Sequence, residues 1–123
     1  MTITYKRKLG DLGEKLACDY LKKLNYVILD KNFNCKFGEI DIIAKDAKEI
    51  VFVEVKTRTS EDYGQPQEAV DCFKLRKMIK TVNYYVGTYN LNCDVRIDVI
   101  AIVLNYATRI AKLTYFKDAM AEY

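Results

Sequence analysis

The sequence predicts an α/β fold in which helices flank a mixed central β-sheet. Two long segments carry apolar residues at the three- and four-residue spacing of an amphipathic helix, and runs rich in Ile and Val lie between and after them. The order of helix, strands, helix and strands is typical of a sheet covered by helices. A chain of 123 residues, half of them apolar, has the size of one compact domain, so we expect a single domain over residues 1–123.

The first predicted helix covers Gly10–Asn25. Its apolar residues recur on one side, with charged residues elsewhere: Leu12, Leu16, Ala17, Tyr20, Leu21 and Leu24. Tyr26–Leu29 is a short run of strand-forming residues and predicts the first strand. The polar segment Asp30–Phe37, which contains Asn32 and Asn34, predicts a loop.

Two further strands are predicted over Glu39–Lys45 and Glu49–Arg58. Only Asp46–Lys48 separates them, and a connection this short joins antiparallel neighbours in a hairpin. If the turn has two residues at its tip, counting outward along both strands places Asp41 directly opposite Glu54. Directly opposed residues point to the same face of a sheet, with their Cβ atoms about 5 Å apart.

The second half of the chain predicts another helix and two more strands. A polar loop over Thr59–Gln65 precedes Pro66, which suits the first turn of a helix because its missing N–H would have no partner there. We therefore predict a long helix from Pro66 to near Gly87. Its apolar stripe consists of Ala69, Val70, Phe73, Ile79, Val82 and Val86. The last strands are predicted over Asp94–Leu104 and Arg109–Phe116.

The composition excludes several classes of chemistry. The chain has no histidine, which excludes Ser-His-Asp triads, Cys-His pairs, HExxH zinc sites and histidine-based nucleases. Any catalysis must therefore use carboxylates, lysine, hydroxyls or thiols. The 20 basic and 17 acidic residues leave a net charge of +3, which permits a nucleic-acid partner without demanding one.

The expected location follows from segments that the sequence lacks. No apolar run approaches the roughly 18 residues needed to span a bilayer, and the N-terminal residues lack the apolar core of a signal peptide. We therefore expect a cytoplasmic protein with no membrane partner. The four cysteines are irregularly spaced and form neither a zinc ribbon nor a redox motif, so we expect free thiols.

Charged residues interrupt the predicted hairpin, whose strands are otherwise rich in Ile and Val. Asp41 and Glu54 would form a pair of carboxylates that repel each other unless a cation lies between them. Such oxygen ligands favour Mg²⁺ or Mn²⁺. Lys56, two residues further on the same face, would lie beside a metal-bound water, and Glu14 of the first helix is a fourth candidate. The alternative is a structural ladder of Glu and Lys on an exposed sheet, with Glu14 facing solvent.

A set of motifs carries a resemblance to a known family. The motifs are Gly38-Glu39-Ile40-Asp41, Phe52-Val53-Glu54-Val55-Lys56-Thr57-Arg58, Gly64-x-Pro66-x-Glu68-Ala69-Val70 with Lys74, and Arg96-x-Asp98. They resemble the YraN-like family of predicted endonucleases, in the PD-(D/E)xK nuclease superfamily. The resemblance covers nearly the whole chain, and the run around Glu54, Lys56 and Arg58 is more specific than a bare Glu-x-Lys.

The resemblance implies a restriction-endonuclease-like core and a catalytic metal site. Residues matching Asp41 and Glu54 bind Mg²⁺ or Mn²⁺ in that superfamily, the one matching Lys56 orients or activates the attacking water, and the one matching Glu14 assists. The family is also similar to archaeal Holliday-junction resolvases. The implied substrate is therefore DNA, with branched DNA included.

Basic residues form a second predicted site, for nucleic acid. The candidates are Lys36, Arg58, Lys74, Lys77 and Lys80. The last three follow at three-residue steps, so they share one face of the predicted helix and could track phosphates, with binding that weakens as salt rises. The alternative is a solvated helix face. The family often has Arg where this chain has Asn34, which makes Lys36 the nearest base.

Two functions follow from these residues. The leading hypothesis is a metal-dependent nuclease that hydrolyses phosphodiester bonds, with DNA as the expected substrate. Its rival is a non-catalytic nucleic-acid-binding or scaffold module that retains the nuclease fold, for which the lysines matter and the carboxylates do not. A homodimer would provide two sites to cut two strands. The tyrosines, including Tyr84 and Tyr85, could stack on exposed bases, although packing in the core or at its rim is their more frequent role.

Overall fold

The computed structural model describes residues 5–60 and 64–120. The elements in this part of the chain are α1 (Tyr5–Lys23), β1 (Val27–Cys35), β2 (Gly38–Asp46), β3 (Glu49–Thr59), a 3₁₀ helix (Pro66–Ala69), α2 (Cys72–Thr88), β4 (Val95–Asn105) and β5 (Ile110–Phe116). Neither described α-helix is long and apolar enough to cross a membrane. Within the described residues the cysteines are free thiols, as expected.

The five strands form one mixed sheet in the order β1-β2-β3-β4-β5. Neighbouring strands are antiparallel except β3 and β4, which are parallel because the chain crosses over through α2. Alternate residues of β3 face opposite sides of the sheet. Val51 and Val53 pack in the core beneath α1, whereas Ile50 and Phe52 pack in the core beneath α2. The predicted fold class is confirmed, and this arrangement is compatible with a restriction-endonuclease-like core.

The central strand β3 is buried on both faces. Val51, Phe52 and Val53 are all 0% exposed, which explains why this strand reads as a nearly continuous apolar run. Burial of each such side chain stabilises the fold by about 1.5–3 kcal/mol. A charged residue on the same strand must therefore find a partner to offset its loss of hydration.

The predicted loop over Asp30–Phe37 is wrong, because residues 30–35 form the second half of β1 and pair with β2. As an edge strand, β1 has a sheet neighbour on one side only, so its polar side chains face solvent while its backbone is paired. Asn32 adopts a left-handed conformation with φ of 53°, which Asn tolerates better than most residues. Polarity in this segment marks an exposed edge strand.

The helices begin at positions other than those predicted. Asp71 caps α2, because its carboxylate accepts hydrogen bonds from the backbone N–H groups of Phe73 and Lys74 at 3.1 and 3.2 Å. The helix therefore starts at Cys72, and Pro66 opens a separate 3₁₀ helix. In the first helix, α1 begins at Tyr5, five residues before the predicted start at Gly10.

The buried sides of the helices differ in part from the predicted stripes. Phe73 and Ile79 are 67% and 39% exposed, and Leu12 and Leu24 are 41% and 40% exposed. The buried residues of α2 are Leu75, Met78, Thr81, Val82 and Tyr85. The buried residues of α1 are Leu9, Gly13, Ala17, Cys18 and Leu21. Of the predicted polar loop Thr59–Gln65, residues 61–63 lie outside the described part of the chain.

A buried network of charges and hydroxyls holds the start of β4. The Arg96 side chain is 5% exposed and donates to the Asp98 carboxylate, while Asp98 is 0% exposed. Arg96 also donates to the hydroxyl of Tyr26 at 2.9 Å, and the hydroxyl of Tyr115 donates to Asp98. The backbone N–H of Asp118 donates to Asp98 at 2.8 Å. The network therefore ties the residue just before β1, strands β4 and β5, and the turn after β5 together.

Candidate active site

The hairpin of β2 and β3 opens where the predicted carboxylates lie. Its ladder runs from the pair Asp46–Glu49 to the pair Ile42–Val53, which confirms the register counted from the turn. The ladder ends one step before Asp41 and Glu54, which face each other if this register continues, while β3 stays paired with β4 as far as Thr59. The two carboxylates therefore lie where β2 and β3 separate.

Asp41 replaces a missing backbone partner at this opening. Its Oδ2 atom accepts a hydrogen bond from the backbone N–H of Val55 at 2.7 Å. Burial, and then the charge of Glu54, raise the pKa of Asp41 from 3.8 to about 7, with smaller contributions from Glu14 and Glu39, although the Val55 bond opposes them. The carboxylates are close enough to repel one another, as predicted.

Glu54 is buried and paired with a lysine that comes from α2. Glu54 is 6% exposed, and its Oε1 atom accepts a hydrogen bond from Nζ of Lys74 at 2.6 Å. Burial alone would lower the pKa of Lys74, but the bond to Glu54 and its negative charge raise that pKa above its ordinary value. The sequence predicted Lys74 as a phosphate contact and gave no signal that it reaches Glu54.

Lys56 lies in the same cluster, on the same side as Glu54. Burial and the nearby Lys74 lower the pKa of Lys56, while the negative charge of Glu54 works in the opposite direction. The cluster thus contains two carboxylates of the hairpin and two ammonium groups. Three of these residues, Asp41, Glu54 and Lys56, are the ones the sequence predicted.

Glu14 reaches the site because α1 approaches β3 closely. A Cβ atom on Gly13 would lie 1.7 Å from Oγ1 of Thr57, so only glycine allows this contact without displacing Thr57. The carboxyl group of Glu14 is within hydrogen-bonding reach of Asn32 and Asp41, and burial raises its pKa. The predicted fourth member of the site therefore lies with the others. Neither Gly13 nor Asn32 was predicted to shape the site.

These side chains line an open cleft of about 410 Å³ beside α1. Its walls include Glu14, Asp41, Glu54, Lys56, Thr57 and Lys74. Among the side chains that the structure describes, Thr57 Oγ1 is the buried polar atom with no hydrogen-bond partner. A second opening, lined by Glu14, Asn32 and Glu39 among others, adjoins it at Glu14. The cleft is large enough and polar enough to admit a phosphate group and water.

The donor set determines which metal the cleft suits. Over residues 5–60 and 64–120, no three carboxylates or thiolates gather tightly enough to enclose an ion by themselves. Mg²⁺ does not require such a cage, because one or two carboxylates commonly bind it together with water and substrate phosphates. Asp41 and Glu54 provide this kind of oxygen set, whereas thiolate or imidazole ligands for softer metals are not part of the cleft.

The other predicted basic residues do not line this cleft. Lys77 and Lys80 are exposed on α2, and Lys36 is exposed in the turn between β1 and β2. Arg58 is half-buried near the end of β3 and lines a small cavity with Lys56. Lys74 differs from Lys77 and Lys80 in that its ammonium group bonds to Glu54.

Comparison with known proteins places the chain in a family. Residues 13–102 match the family described as "Uncharacterised protein family UPF0102". The chain belongs to the UPF0102 family. All predicted site residues, from Glu14 to Lys80, lie within the matched region of UPF0102. The resemblance to YraN-like proteins is thus confirmed at the level of the family, whose description names no activity.

Relatives in UPF0102 resemble the chain over most of its length. A UPF0102 protein of Caldicellulosiruptor saccharolyticus is 44% identical over 115 residues, which cover 93% of this chain and 98% of that protein. One from Caldanaerobacter subterraneus subsp. tengcongensis is 50% identical over 101 residues, covering 81% and 83%. One from Clostridium acetobutylicum is 46% identical over 114 residues, covering 92% and 93%.

Proposed function

We propose that this UPF0102 chain is a Mg²⁺- or Mn²⁺-dependent nuclease that hydrolyses phosphodiester bonds in DNA. One observation carries the proposal. The opening of the β2–β3 hairpin holds Asp41 and Glu54 together with Lys56 in a cleft, and burial, followed by the charge of Glu54, raises the pKa of Asp41 to about 7. Perturbed carboxylates that converge in a cleft are typical of catalytic sites.

Asp41 and Glu54 are the residues that would hold the metal, and Glu14 is near enough to hold a water in the same cleft. When bound, a divalent ion polarises a phosphate oxygen and makes water a better nucleophile at neutral pH. The charged form of Asp41 is disfavoured by its surroundings, so it gains more from a nearby cation than an exposed carboxylate would.

Lys56 would act on the substrate through its ammonium group. Nζ of Lys56 can donate hydrogen bonds to the attacking water or to a phosphate oxygen, which stabilises the negative charge that develops during hydrolysis. Lys74 would act as a positioning residue, because its bond to Glu54 orients that carboxylate toward the cleft.

The test combines metal binding with cleavage. Calorimetric titration with Mn²⁺ and Mg²⁺ would compare the wild type with Asp41→Ala, and with Asp19→Ala as a control that removes an exposed carboxylate of α1. Each protein would then be incubated with branched, duplex and single-stranded DNA and with RNA. We expect the wild type and the control to bind metal and to cleave, and Asp41→Ala to do neither while remaining folded by circular dichroism.

If the wild type binds no metal and cuts no substrate, the nuclease proposal is overturned. If that protein still bound DNA in a salt-dependent manner, the non-catalytic binding module would take its place. The pairing of Glu54 with Lys74 gives that rival its structural basis, because this carboxylate is already neutralised within the chain.

A further inference from the structure

One side of α2 carries two exposed aromatic rings with two lysines between them. Phe73, Lys77, Lys80 and Tyr84 follow at spacings of four, three and four residues, which places them along one narrow stripe of the helix. Phe73 is 67% exposed and Tyr84 is 42% exposed. Large aromatic rings lose favourable burial when they face water, so two of them on one polar stripe form an unusual surface.

The turn between β1 and β2 extends this stripe. Phe37 is 46% exposed, and its ring centroid lies 6.0 Å from that of Tyr84. Nζ of Lys36 lies 5.2 Å from the Phe37 ring, and Nζ of Lys77 lies 5.1 Å from the Phe73 ring. We define the aromatic–lysine strip as Lys36, Phe37, Phe73, Lys77, Lys80 and Tyr84.

One end of the strip lies next to Lys74, a residue that lines the cleft. Phe73 precedes Lys74, whose Nζ atom bonds to Glu54, so the helix end of the strip adjoins the candidate active site. At a helical rise of 1.5 Å per residue, the distance along α2 from Phe73 to Tyr84 is about 16 Å. At 3.4 Å per nucleotide, this length suits about four or five stacked nucleotides of one strand.

We propose that the aromatic–lysine strip binds a single-stranded nucleic acid and guides it into the cleft, so that the substrate is an unpaired strand or an unpaired arm of a branched molecule. The proposal rests on the proposed nuclease function, since it specifies the substrate of the same site. Bases in a duplex stack on one another and offer no free face, whereas unpaired bases can stack on Phe37, Phe73 and Tyr84. The lysines between the rings supply positive charge for the strand's phosphates.

Stacking and charge can be separated by fluorescence anisotropy with the full chain in EDTA, where no metal-dependent cleavage occurs. The probes are a labelled 20-nucleotide thymidine strand, a strand of equal length and charge made of abasic residues, and a duplex of equal length. We expect the wild type to bind the thymidine strand about tenfold more tightly than the abasic strand, because only the former has bases to stack. The duplex should bind more weakly than the thymidine strand.

Variants assign this preference to the strip. Phe73→Leu and Tyr84→Leu keep an apolar side chain at an exposed position but remove the ring, so each should reduce the preference for thymidine over abasic strand several-fold. Tyr106→Leu, at an exposed tyrosine of the β4–β5 turn, is the matched control and should leave the preference unchanged. Lys77→Gln should weaken binding of both single strands, because each relies on phosphate contacts.

Equal affinity of the wild type for the thymidine and abasic strands would overturn the proposal without need of any variant. Equal affinity for the duplex and the thymidine strand would overturn it as well. So would an undiminished preference for the thymidine over the abasic strand in the Leu variants. Cleavage measured separately with Mg²⁺ distinguishes the two proposals. If the protein cuts DNA but lacks this preference, the nuclease proposal stands and the strip proposal fails. If it shows the preference but never cuts DNA, the strip proposal stands and the nuclease proposal fails.

Discussion

The two ends of the β2–β3 hairpin hold clusters of charge with opposite character. At the turn, Arg96 lies between acidic groups, with its guanidinium 2.9 Å from Asp46, 3.1 Å from Glu49 and 3.1 Å from Asp98. Burial alone would lower the pKa of Arg96, but its bonds to Tyr115 and Asp98 hold it above its ordinary value. Here each buried charge has an opposite charge beside it.

At the open end several carboxylates gather near Asp41. Asp41 lies near Glu54, Glu14 and Glu39, and its pKa rises to about 7 because its charged form is disfavoured. Lys74 forms its ion pair with Glu54, whereas Oδ2 of Asp41 accepts a hydrogen bond from the Val55 N–H. From this comparison we expect the turn cluster to stabilise the fold and the open cluster to cost stability, as groups with strongly shifted pKa values at functional sites commonly do.

The largest expected effect is on the turn cluster. Asp98→Ala removes the buried partner of Arg96 and of the Asp118 N–H, so we expect the free energy of unfolding to fall by about 3–5 kcal/mol. Urea-induced unfolding followed by circular dichroism measures it. Asp94→Ala, at an exposed position nearby, should change stability by less than about 0.5 kcal/mol. Similar losses in both variants would contradict a special role for the Arg96 network.

The next effect is on activity at the open cluster. Lys56→Ala removes the ammonium group that we assign to the reacting water and phosphate, so we expect the cleavage rate to fall about 10²–10³-fold. The free energy of unfolding should change little or rise, because this lysine is partly buried beside another cation. Lys45→Ala, at an exposed position of β2, is the control. An unchanged cleavage rate in Lys56→Ala would show that Lys56 takes no part in the reaction.

A smaller, pH-dependent effect tests whether the open cluster opposes folding. Asp41 loses its proton near pH 3.8 in the unfolded chain and near pH 7 in the fold, so between these values the folded state binds more protons. Stability should therefore fall as pH rises from about 4 to about 7. Asp41→Asn retains an acceptor for the Val55 N–H and removes the charge. At pH 8 its free energy of unfolding should therefore exceed that of the wild type by about 1–3 kcal/mol.

Urea unfolding in EDTA at pH 4 and pH 8 measures this difference. At pH 4 the wild-type carboxyl is largely protonated, and the two proteins should have nearly equal stability. Asp19→Asn should show no such dependence, because Asp19 is exposed. An advantage of Asp41→Asn that is the same at both pH values would show that the gain does not come from charge.

The smallest expected effect concerns the ion pair between Lys74 of α2 and Glu54 of the open cluster. Lys74→Met removes the partner of buried Glu54, but Lys74 is 45% exposed, so solvent weakens the pair and we expect a loss of about 1 kcal/mol at neutral pH. Lys80→Met is the control on the same helix. The same urea measurement applies, and a stabilised Lys74→Met would contradict the view that this pair offsets the burial of Glu54.

Local pattern in the sequence determined much of the fold and the members of the site. The alternation of β3, with Glu54 and Lys56 among valines, predicts both a strand and a charged pair on one face. The short connection at Asp46–Lys48 predicts the hairpin register, which the ladder confirms. These features depend on neighbours within a few residues, so periodicity alone reveals them.

Only the tertiary structure decided where these elements end and which charges meet. Polar residues 30–35 form an edge strand because β2 supplies backbone partners, and no local pattern contains that information. The separation of β2 from β3, the turning of Lys74 toward Glu54 and the Arg96 network each join residues far apart in sequence. The physical reason is that burial, charge pairing and strand pairing depend on distances in space, which the sequence specifies only through the completed fold.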